Sequence, residues 1–228
     1  MRIIGHRGAA SLALENTIKS IQEAKKAGVD AIEFDIRVTK DKHLILSHDS
    51  TLERTHGVDH KVSDSHLSKI SKVVSDAGHK VPTLKEALKA CGDTPAVIEG
   101  KGSKWAEPLA KLVNTHPNRK NFAVISFNHH ELAEFKKLSS DIPLYVLEHR
   151  NSFDAINAAR IYNFDGIDIN FWTLNPLTYF LAKRHNLKLI VFTVDRPWIA
   201  RLIKFLYPEV DITTNIPQKL QSLRLKKK

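Results

Sequence analysis

Two acidic residues, with one residue between them, stand within an apolar run, AIEFDIRVT, whose composition is that of a buried β-strand. Because side chains alternate along a strand, Glu33 and Asp35 share one face, whereas Phe34 and the isoleucines beside it take the other. Burying carboxylates without a partner is costly, so the acidic face needs a cation. An arginine or lysine would make a structural salt bridge there, whereas Mg²⁺ or Ca²⁺, which favour oxygen ligands, would make a metal site. Both interpretations stay open at this point.

Polar residues also close several other strand-like runs. The residues concerned are Glu99 and Lys101 in VIEGK, Asp168 and Asn170 in DGIDIN, and His6 and Arg7 in GHRG. Each pair alone could be a salt bridge in the core. Their recurrence on separate strands favours a functional site at the end of a sheet, where barrel enzymes place their catalytic groups.

Two histidines follow strand-like runs and are candidates for proton transfer. His6 ends RIIGH, and His48 ends LILSH directly before Asp49. An unperturbed imidazole has a pKa of about 6.5, which suits a general acid or base near neutrality. One histidine among the 12 of this chain would be weak evidence. Two of them beside acidic residues and an arginine indicate acid–base chemistry.

Short apolar runs alternate with helical patterns along the whole chain. The eight runs are 2–6, 31–36, 95–100, 122–127, 143–148, 165–170, 188–194 and 210–215. Helices predicted at 17–28 and 82–92 end at glycine, and Asn175-Pro176 has the form of an N-cap followed by a helix. Eight βα units predict a closed (β/α)8 TIM barrel, formed by one domain over 1–228. The alternative is an open doubly wound sheet, but the first turn, GHRGAASLALEN, lacks the G-x-G-x-x-G spacing of a dinucleotide-binding fold.

One segment interrupts the alternation after the second apolar run. KDK lies between two alternating runs and predicts a hairpin. The residues that follow, at about 49–80, are too many for a simple loop and show no strong core pattern. Long loops in compact domains are often functional. In a barrel, an insertion at this place lies at the C-terminal face, over the active site.

Composition limits the remaining classes of function. The formal net charge is +10, with part of the excess in a basic tail at 220–228, and this charge favours anionic partners such as phosphates. No dense basic run carries interleaved aromatic residues, so we expect no nucleic acid partner. The single cysteine, Cys91, the lack of a long apolar run and a start without a secretory h-region together predict a cytoplasmic protein.

These stretches resemble the glycerophosphodiester phosphodiesterase family. The resemblance rests on IGHRGAASLALENT, AGVDAIEFDIRVTKDKHLILSHDSTLERTHG, VPTLKEAL and IEGK, and it covers roughly residues 3–101. The second half is similar through ISF, the strand ending FTVD, and VDITTNIP. The resemblance implies a TIM barrel with a small insertion after the second strand. It also implies hydrolysis of a small-molecule glycerophosphodiester to an alcohol and sn-glycerol 3-phosphate.

The resemblance further implies a divalent metal, Mg²⁺ or Ca²⁺, held by carboxylates. It also implies two catalytic histidines, and which of them is the acid and which the base stays open. The implied residues are Glu33, Asp35 and Glu99 as metal ligands, His6 and His48 as general acid and base, and Arg7 and Lys101 as phosphate-binding residues. Attack by water and attack by the neighbouring glycerol hydroxyl, through a cyclic phosphate, both fit this chemistry.

Four positions depart from the family's usual pattern. Asn215 stands where an acid is more common, Phe192 where tryptophan is frequent, Gly100 where a bulkier residue is usual, and His56 where threonine is common. The first three concern the alcohol pocket and the substrate rather than the metal ligands. We therefore expect the metal site to be intact.

Two other functions remain open. A lysophospholipase D-type or phospholipase-like enzyme would act on lipid at a membrane surface, and its membrane contact would be the amphipathic segment 197–208. That segment equally fits a barrel helix packed on the sheet. A barrel with only a binding function would have lost a histidine or an acidic ligand, and none is lost. No oligomeric state is predicted.

Overall fold

The computed structural model of the chain describes residues 1–223. Eleven strands and nine α-helices occur in that part of the chain. The strands are β1 (Ile3–Gly5), β2 (Ala31–Val38), β3 (Leu44–Leu46), β4 (Thr51–Leu52), β5 (Val58–Lys61), β6 (Ala96–Gly100), β7 (Phe122–Ser126), β8 (Leu144–Glu148), β9 (Gly166–Asn170), β10 (Lys188–Phe192) and β11 (Asp211–Thr214). The helices are α1 (Ile18–Lys26), α2 (Glu53–His56), α3 (Leu67–Ile70), α4 (Leu84–Cys91), α5 (Ala106–Val113), α6 (His129–Leu138), α7 (Ser152–Ile161), α8 (Pro176–Arg184) and α9 (Pro197–Leu206).

Eight of the strands form a closed parallel barrel. Around the ring their order is β1, β2, β6, β7, β8, β9, β10 and β11, and β11 pairs with β1 to complete the circle. Helices lie between successive barrel strands in the chain. The predicted (β/α)8 TIM barrel is therefore confirmed, and the open doubly wound sheet is excluded.

The strands bury different residues on their two faces. On β2, Ile32, Phe34 and Ile36 belong to the core between strands and helices, whereas Ala31 lies in a second cluster. That cluster fills the barrel interior, and its buried members are Ile4, Ala31, Val97, Ile125, Tyr145, Leu147 and Ile190. Strand alternation thus turns Glu33 and Asp35 toward the barrel axis, as predicted.

Side-chain caps begin three of the helices, and the one at Asn175 was predicted from the sequence. Thr17 caps α1, with its side chain accepting from the Ser20 amide, and Thr83 caps α4 through the Glu86 amide. Asn175 caps α8, with proline at its first turn. These caps pair with backbone amides that the first turn of a helix leaves without partners, and so they fix the residue at which each helix begins.

The segment predicted as an insertion contains short elements and a small core of its own. β3 pairs antiparallel with β2, which confirms the hairpin at KDK. β4 and β5 form a separate two-stranded sheet, and α2 and α3 complete the segment. The sequence shows no strong core pattern here because the apolar residues come from short turns and strands that have no common period. The buried cluster comprises Ile45, Leu52, Val62, Ile70, Val73 and Val81.

The predicted basic tail, 220–228, falls partly outside the described residues, which end at 223. Within its first four residues, Gln221–Leu223 form a 3-10 turn, and the side chains of Leu220 and Leu223 are buried. Among the described residues, no helix is both long enough and apolar enough to cross a lipid bilayer.

Candidate active site

The C-terminal ends of the barrel strands surround one polar pocket. Its walls include His6 and Arg7 after β1, Glu33 on β2, His48 after β3, and Glu99 with Lys101 at the end of β6. The further lining residues are Ile125, Phe127, Leu147, His149, Asp168, Phe192, Thr193 and Thr213. Asp35 lies on the same face of β2 as Glu33 and is fully buried. The structure therefore brings all seven predicted site residues to one end of the barrel.

Three buried carboxylates meet where β2 and β6 run side by side. Ligand oxygens of Glu33, Asp35 and Glu99 lie within 4.8 Å of one another. Asp35 is directly opposite Glu99 in the strand register. Glu33 Oε1 is buried without a hydrogen-bond partner. This donor set, all oxygen and close enough to share one ion, fits a divalent cation such as Mg²⁺ or Ca²⁺.

Two basic side chains also reach these carboxylates, so the salt-bridge interpretation is correct as well. Lys101 Nζ lies 3.2 Å from Asp35 Oδ1 and 2.5 Å from Glu99 Oε1. Arg7 Nε lies 3.3 Å from Asp35 Oδ2. Asp35 therefore has both basic groups within reach, while Glu33 receives only the backbone N–H of Arg7, at 2.8 Å from Oε2.

The pKa shifts show that the basic groups do not neutralise the cluster. Burial, together with the charge of Asp35, raises the pKa of Glu33 to about 8 and that of Glu99 well above its usual value. Burial opposes ionisation of Asp35 too, but Lys101 and Arg7 outweigh it and hold its pKa below the usual range. Arg7 and Lys101 thus offset the cost of burying a charge at Asp35 but not at Glu33 or Glu99. A bound divalent cation would stabilise the ionised forms of these two carboxylates.

Two residues that precede α1 support the cluster, and the sequence analysis did not identify either. Asn16 Nδ2 donates to Asp35 Oδ2 at 2.7 Å, and Asn16 Oδ1 accepts from the Asp35 amide at 3.1 Å. Glu15 accepts from Arg7 at 2.9 Å. Asn16 has a φ of 57°, a left-handed conformation that asparagine tolerates better than most residues. The one sequence feature that could have pointed to Asn16 is its place directly before Thr17, the N-cap of α1.

His6 is held by a chain of hydrogen bonds from the last barrel strand. Its Nδ1 lies 2.7 Å from Asn215 Oδ1, and Asn215 Nδ2 donates to Asp195 Oδ2 at 2.6 Å. Because the amide oxygen can only accept, neutral His6 carries its proton on Nδ1 and leaves Nε2 free. Nε2 lies 3.9 Å from Glu33 Oε2. Burial, reinforced by Arg7, lowers the pKa of His6 and favours this neutral form.

His48 is held differently, by a carboxylate. Its Nδ1 lies 2.7 Å from Asp49 Oδ1, and Asp49 also accepts from Arg54 at 2.6 Å. The guanidinium of Arg37 donates to the His48 backbone carbonyl at 2.8 and 3.0 Å, which ties this loop to the end of β2. Burial lowers the pKa of His48 as well, although Asp49 opposes the shift. Arg54 thus belongs to a network that positions a histidine.

Aromatic rings form one wall of the pocket. Phe127 and His149 are stacked with centroids 4.4 Å apart, and Phe192 meets His149 edge-on at 5.3 Å. Lys101 Nζ lies 5.6 Å from the centre of the Phe127 ring. Phe192, one of the departures from the family pattern, is therefore a pocket residue. The sequence analysis did not identify His149, because it follows β8 in a chain rich in histidine.

Gly100 has a packing explanation. A Cβ atom at this position would come within 2.2 Å of the Trp105 indole ring. Trp105 is fully buried and occupies the space that a side chain would need. The glycine thus leaves the space that this large ring fills, and Gly100 is not among the residues that line the pocket.

The two polar residues of β9 separate. Asp168 lines the pocket and is 2 % exposed. Asn170 is turned to the local chain instead, where its Oδ1 accepts from the Trp172 amide at 3.1 Å. Although both residues were predicted on one face of the strand, only Asp168 lines the pocket.

The segment considered for membrane contact is α9. Its residues Ile199, Ala200 and Ile203 are buried, as expected of a helix packed on the barrel. Its outer face is nevertheless apolar as well, since Trp198 is 58 % and Phe205 83 % exposed. Contact with a membrane stays a prediction.

Comparison with known proteins identifies the family. The model of the glycerophosphoryl diester phosphodiesterase family matches residues 6–214. A glycerophosphodiester phosphodiesterase of Caldanaerobacter subterraneus is 30% identical over 208 residues, which are 85% of this chain and 86% of that protein. A human lysophospholipase D is 33% identical over 157 residues, 62% of this chain but 50% of its own length. An Oleispira antarctica phosphodiesterase, solved with the product sn-glycerol-3-phosphate, has the same fold, with a TM-score of 0.90, 22% identity, and 97% and 96% of the two chains covered.

Proposed function

The chain belongs to the glycerophosphoryl diester phosphodiesterase family of hydrolases, and we propose that it hydrolyses glycerophosphodiesters to an alcohol and sn-glycerol 3-phosphate with the help of a divalent metal. The observation that carries this proposal is the meeting of three buried carboxylates, two histidines and two basic side chains in one pocket. Each group that phosphodiester hydrolysis needs is within that set.

Glu33, Asp35 and Glu99 would hold the metal, Mg²⁺ or Ca²⁺. When bound, such an ion supplies positive charge that stabilises the phosphoryl oxygens as the reaction proceeds. Asn16 keeps Asp35 oriented, and the Arg7 amide does the same for Glu33. The Glu33 oxygen is held by a backbone donor, and the Asp35 oxygen by a buried side-chain amide that also accepts from the Asp35 backbone N–H.

Arg7 and Lys101 would bind the phosphate. Both side chains already lie against the carboxylates and line the pocket. Each would offer N–H donors to an anionic oxygen, and Arg7 is held from behind by Glu15. Held donors lose little freedom when the substrate binds, so their charge is available in the transition state.

The histidines would divide proton transfer between them. Neutral His6, with Nε2 free, is suited to take the proton from the attacking oxygen. His48 would hold a proton with the help of the Asp49 carboxylate, which opposes the lowering of its pKa by burial, and would give that proton to the leaving alcohol oxygen as the P–O bond breaks. The proton gained at His6 and the proton lost from His48 balance in one turnover.

The lipid-directed alternative has less support. The pocket wall beside the catalytic groups is aromatic, and the relative named lysophospholipase D is matched over half of its length. A cytoplasmic location is consistent with the single, buried Cys91, since proteins of reducing compartments seldom depend on disulfides. Neither nucleic acid nor another protein is part of the proposal.

The test is release of sn-glycerol 3-phosphate from glycerophosphocholine and glycerophosphoethanolamine. Wild-type protein should release it, whereas His6→Ala should lose roughly a hundredfold or more of kcat, the scale of general acid–base catalysis. His185→Ala is the matched control, because His185 lies at the end of α8 outside the pocket. Near-normal turnover by His6→Ala would contradict the proposed role, and no release by any form would contradict the proposed function.

A further inference from the structure

Asp168 is a buried carboxyl group that the proposed reaction does not use. It is 2 % exposed, and its Oδ1 is buried with no hydrogen-bond partner among the described residues. In the strand register it stands between Leu147 on β8 and Ile190 on β10. Both neighbours belong to the apolar cluster of the barrel interior, so neither can pair with the carboxyl. A group in this position is costly unless something else completes its hydrogen bonds.

The open direction from Asp168 is the pocket. Its strand neighbours Ile167 and Ile169 pack toward the helices, so alternation turns Asp168 inward. It lines the same pocket as the two histidines. It is also two residues before the end of β9, and therefore deeper than the groups in the loops above. Asp168 thus forms part of the pocket floor.

The site's phosphate-binding groups lie on the opposite side of the barrel. In the ring of eight strands, β9 is diametrically opposite β2, and the basic groups follow β1 and β6 on either side of β2. A phosphate held there would lie across the pocket from the Asp168 carboxyl. The part of a ligand that reaches Asp168 is therefore a part other than the phosphate, and it must form a hydrogen bond with the carboxyl.

An alcohol hydroxyl has these properties. Burial, with Glu99 and Asp211 adding repulsion, raises the pKa of Asp168 well above its usual value. A protonated carboxyl can both donate to and accept from a hydroxyl, so the match with an alcohol holds in either protonation state. The head-group alcohol of different phosphodiesters varies, but the glyceryl group is common to the whole class.

We propose that Asp168 binds a hydroxyl group of the glyceryl moiety and thereby selects glyceryl phosphates over phosphates whose alkyl chain has no hydroxyl. The inference rests on the proposed function for the identity of the ligand. A site built to pair a substrate hydroxyl rejects an analogue without it, because the buried polar group is then left unpaired. Asp168 is therefore a specificity residue and takes no proton in the bond-breaking step.

The test compares two ligands that differ only in their hydroxyls. Dissociation constants of sn-glycerol 3-phosphate and propyl phosphate are measured by calorimetry with Mg²⁺ present, for wild type, Asp168→Leu and Asp168→Asn. We expect wild type to prefer glycerol 3-phosphate by roughly tenfold or more, the scale of one hydrogen bond to a buried group. Asp168→Leu should lose that preference by weakening glycerol 3-phosphate alone. Asp168→Asn, which keeps a donor and an acceptor, should retain most of it.

Folding and metal binding serve as controls. Leucine removes an unpaired polar group from an apolar setting, so Asp168→Leu should melt no lower than wild type. Its affinity for Mg²⁺ should also be unchanged. Equal binding of both phosphates by wild type, or equal weakening of both in Asp168→Leu, would overturn the inference, as would wild type that binds neither. A glycerol 3-phosphate preference without any phosphodiester hydrolysis would overturn the proposed function and leave this inference standing.

Discussion

The imidazole of His6 and the side-chain amide of Asn215 are joined by a hydrogen bond of 2.7 Å between Nδ1 and Oδ1. Asn215 stands where the family more often has an acid, and Asp195 holds its amide group in turn. This neutral partner fixes the tautomer of His6, and its hydrogen bond favours the imidazolium without adding the negative charge of a carboxylate. Burial and the charge of Arg7 outweigh that hydrogen bond and leave the pKa of His6 low, while Asn215 keeps the ring oriented.

Asn215→Leu should lower kcat by about ten- to hundredfold with little change in KM, since partners that orient a functional histidine contribute on this scale. Asn215→Asp should preserve kcat, but its carboxylate favours the charged imidazole. The acid limb of the kcat/KM profile should therefore move to higher pH. Gln218→Leu, three residues further on and bonded to Ser11, is the control. Wild-type kcat in Asn215→Leu would show that the bond does not position His6.

Glu33→Gln should separate metal binding from stability. In chelator the variant should melt at or above the wild-type temperature, because one poorly compensated carboxylate has been removed. Saturating Mg²⁺, at about a hundred times its dissociation constant, should add about 2.7 kcal/mol to wild type. For a chain of this size that is roughly 5–10 °C. Thermal unfolding of Glu33→Gln should show no such rise in melting temperature with Mg²⁺. An equal rise in both proteins would show that Glu33 is not a metal ligand.

Gly100→Ala should destabilise the barrel by about 1–3 kcal/mol, the cost of overpacking a full core. The reason is the approach of the added Cβ to the Trp105 ring. Urea unfolding measures the change. In a Trp105→Leu background, which opens the space, the same glycine replacement should cost little. An undiminished cost in that background would assign the effect to something other than Trp105.

His56 should make the protein less stable as the pH falls. Burial lowers the pKa of this histidine, and the charge of His79 adds to the shift. The unfolded chain therefore binds its proton at higher pH than the folded chain does. The stabilisation is complete above the unfolded pKa, near 6.5, and is lost as the pH falls through it. Urea midpoints at pH 7.5 and 5.5 should differ less in His56→Gln than in wild type, and an unchanged difference would contradict this account.

Much of the fold could be predicted from the sequence, because periodicity reports burial directly. Each of the eight apolar runs became a barrel strand, and the face of β2 that carries Glu33 and Asp35 was assigned correctly. The strand ends then brought the predicted ligands together. Parallel strands all present their C-terminal ends on one side of a barrel, so placing residues on strands was sufficient to place them in the site.

The supporting residues could not be predicted in the same way. Asn16 and Glu15 reach the site from a loop, and Asp195 acts through Asn215, so their roles depend on how distant loops meet. Asp168 and Asn170 show the same limit on a strand, since alternation gave them one face but local bonding turned Asn170 away. Periodicity gives the side of a strand, whereas hydrogen-bond partners are set only when the barrel closes.

The most direct test of the central claim is metal-dependent release of sn-glycerol 3-phosphate by the wild-type protein. Glycerophosphocholine is incubated with chelated protein, and then Mg²⁺ or Ca²⁺ is restored in excess of the chelator. The carboxylate site predicts that release stops in chelator and returns with one of the two ions. Release that continues undiminished in chelator, from protein shown to be free of metal, would contradict the account.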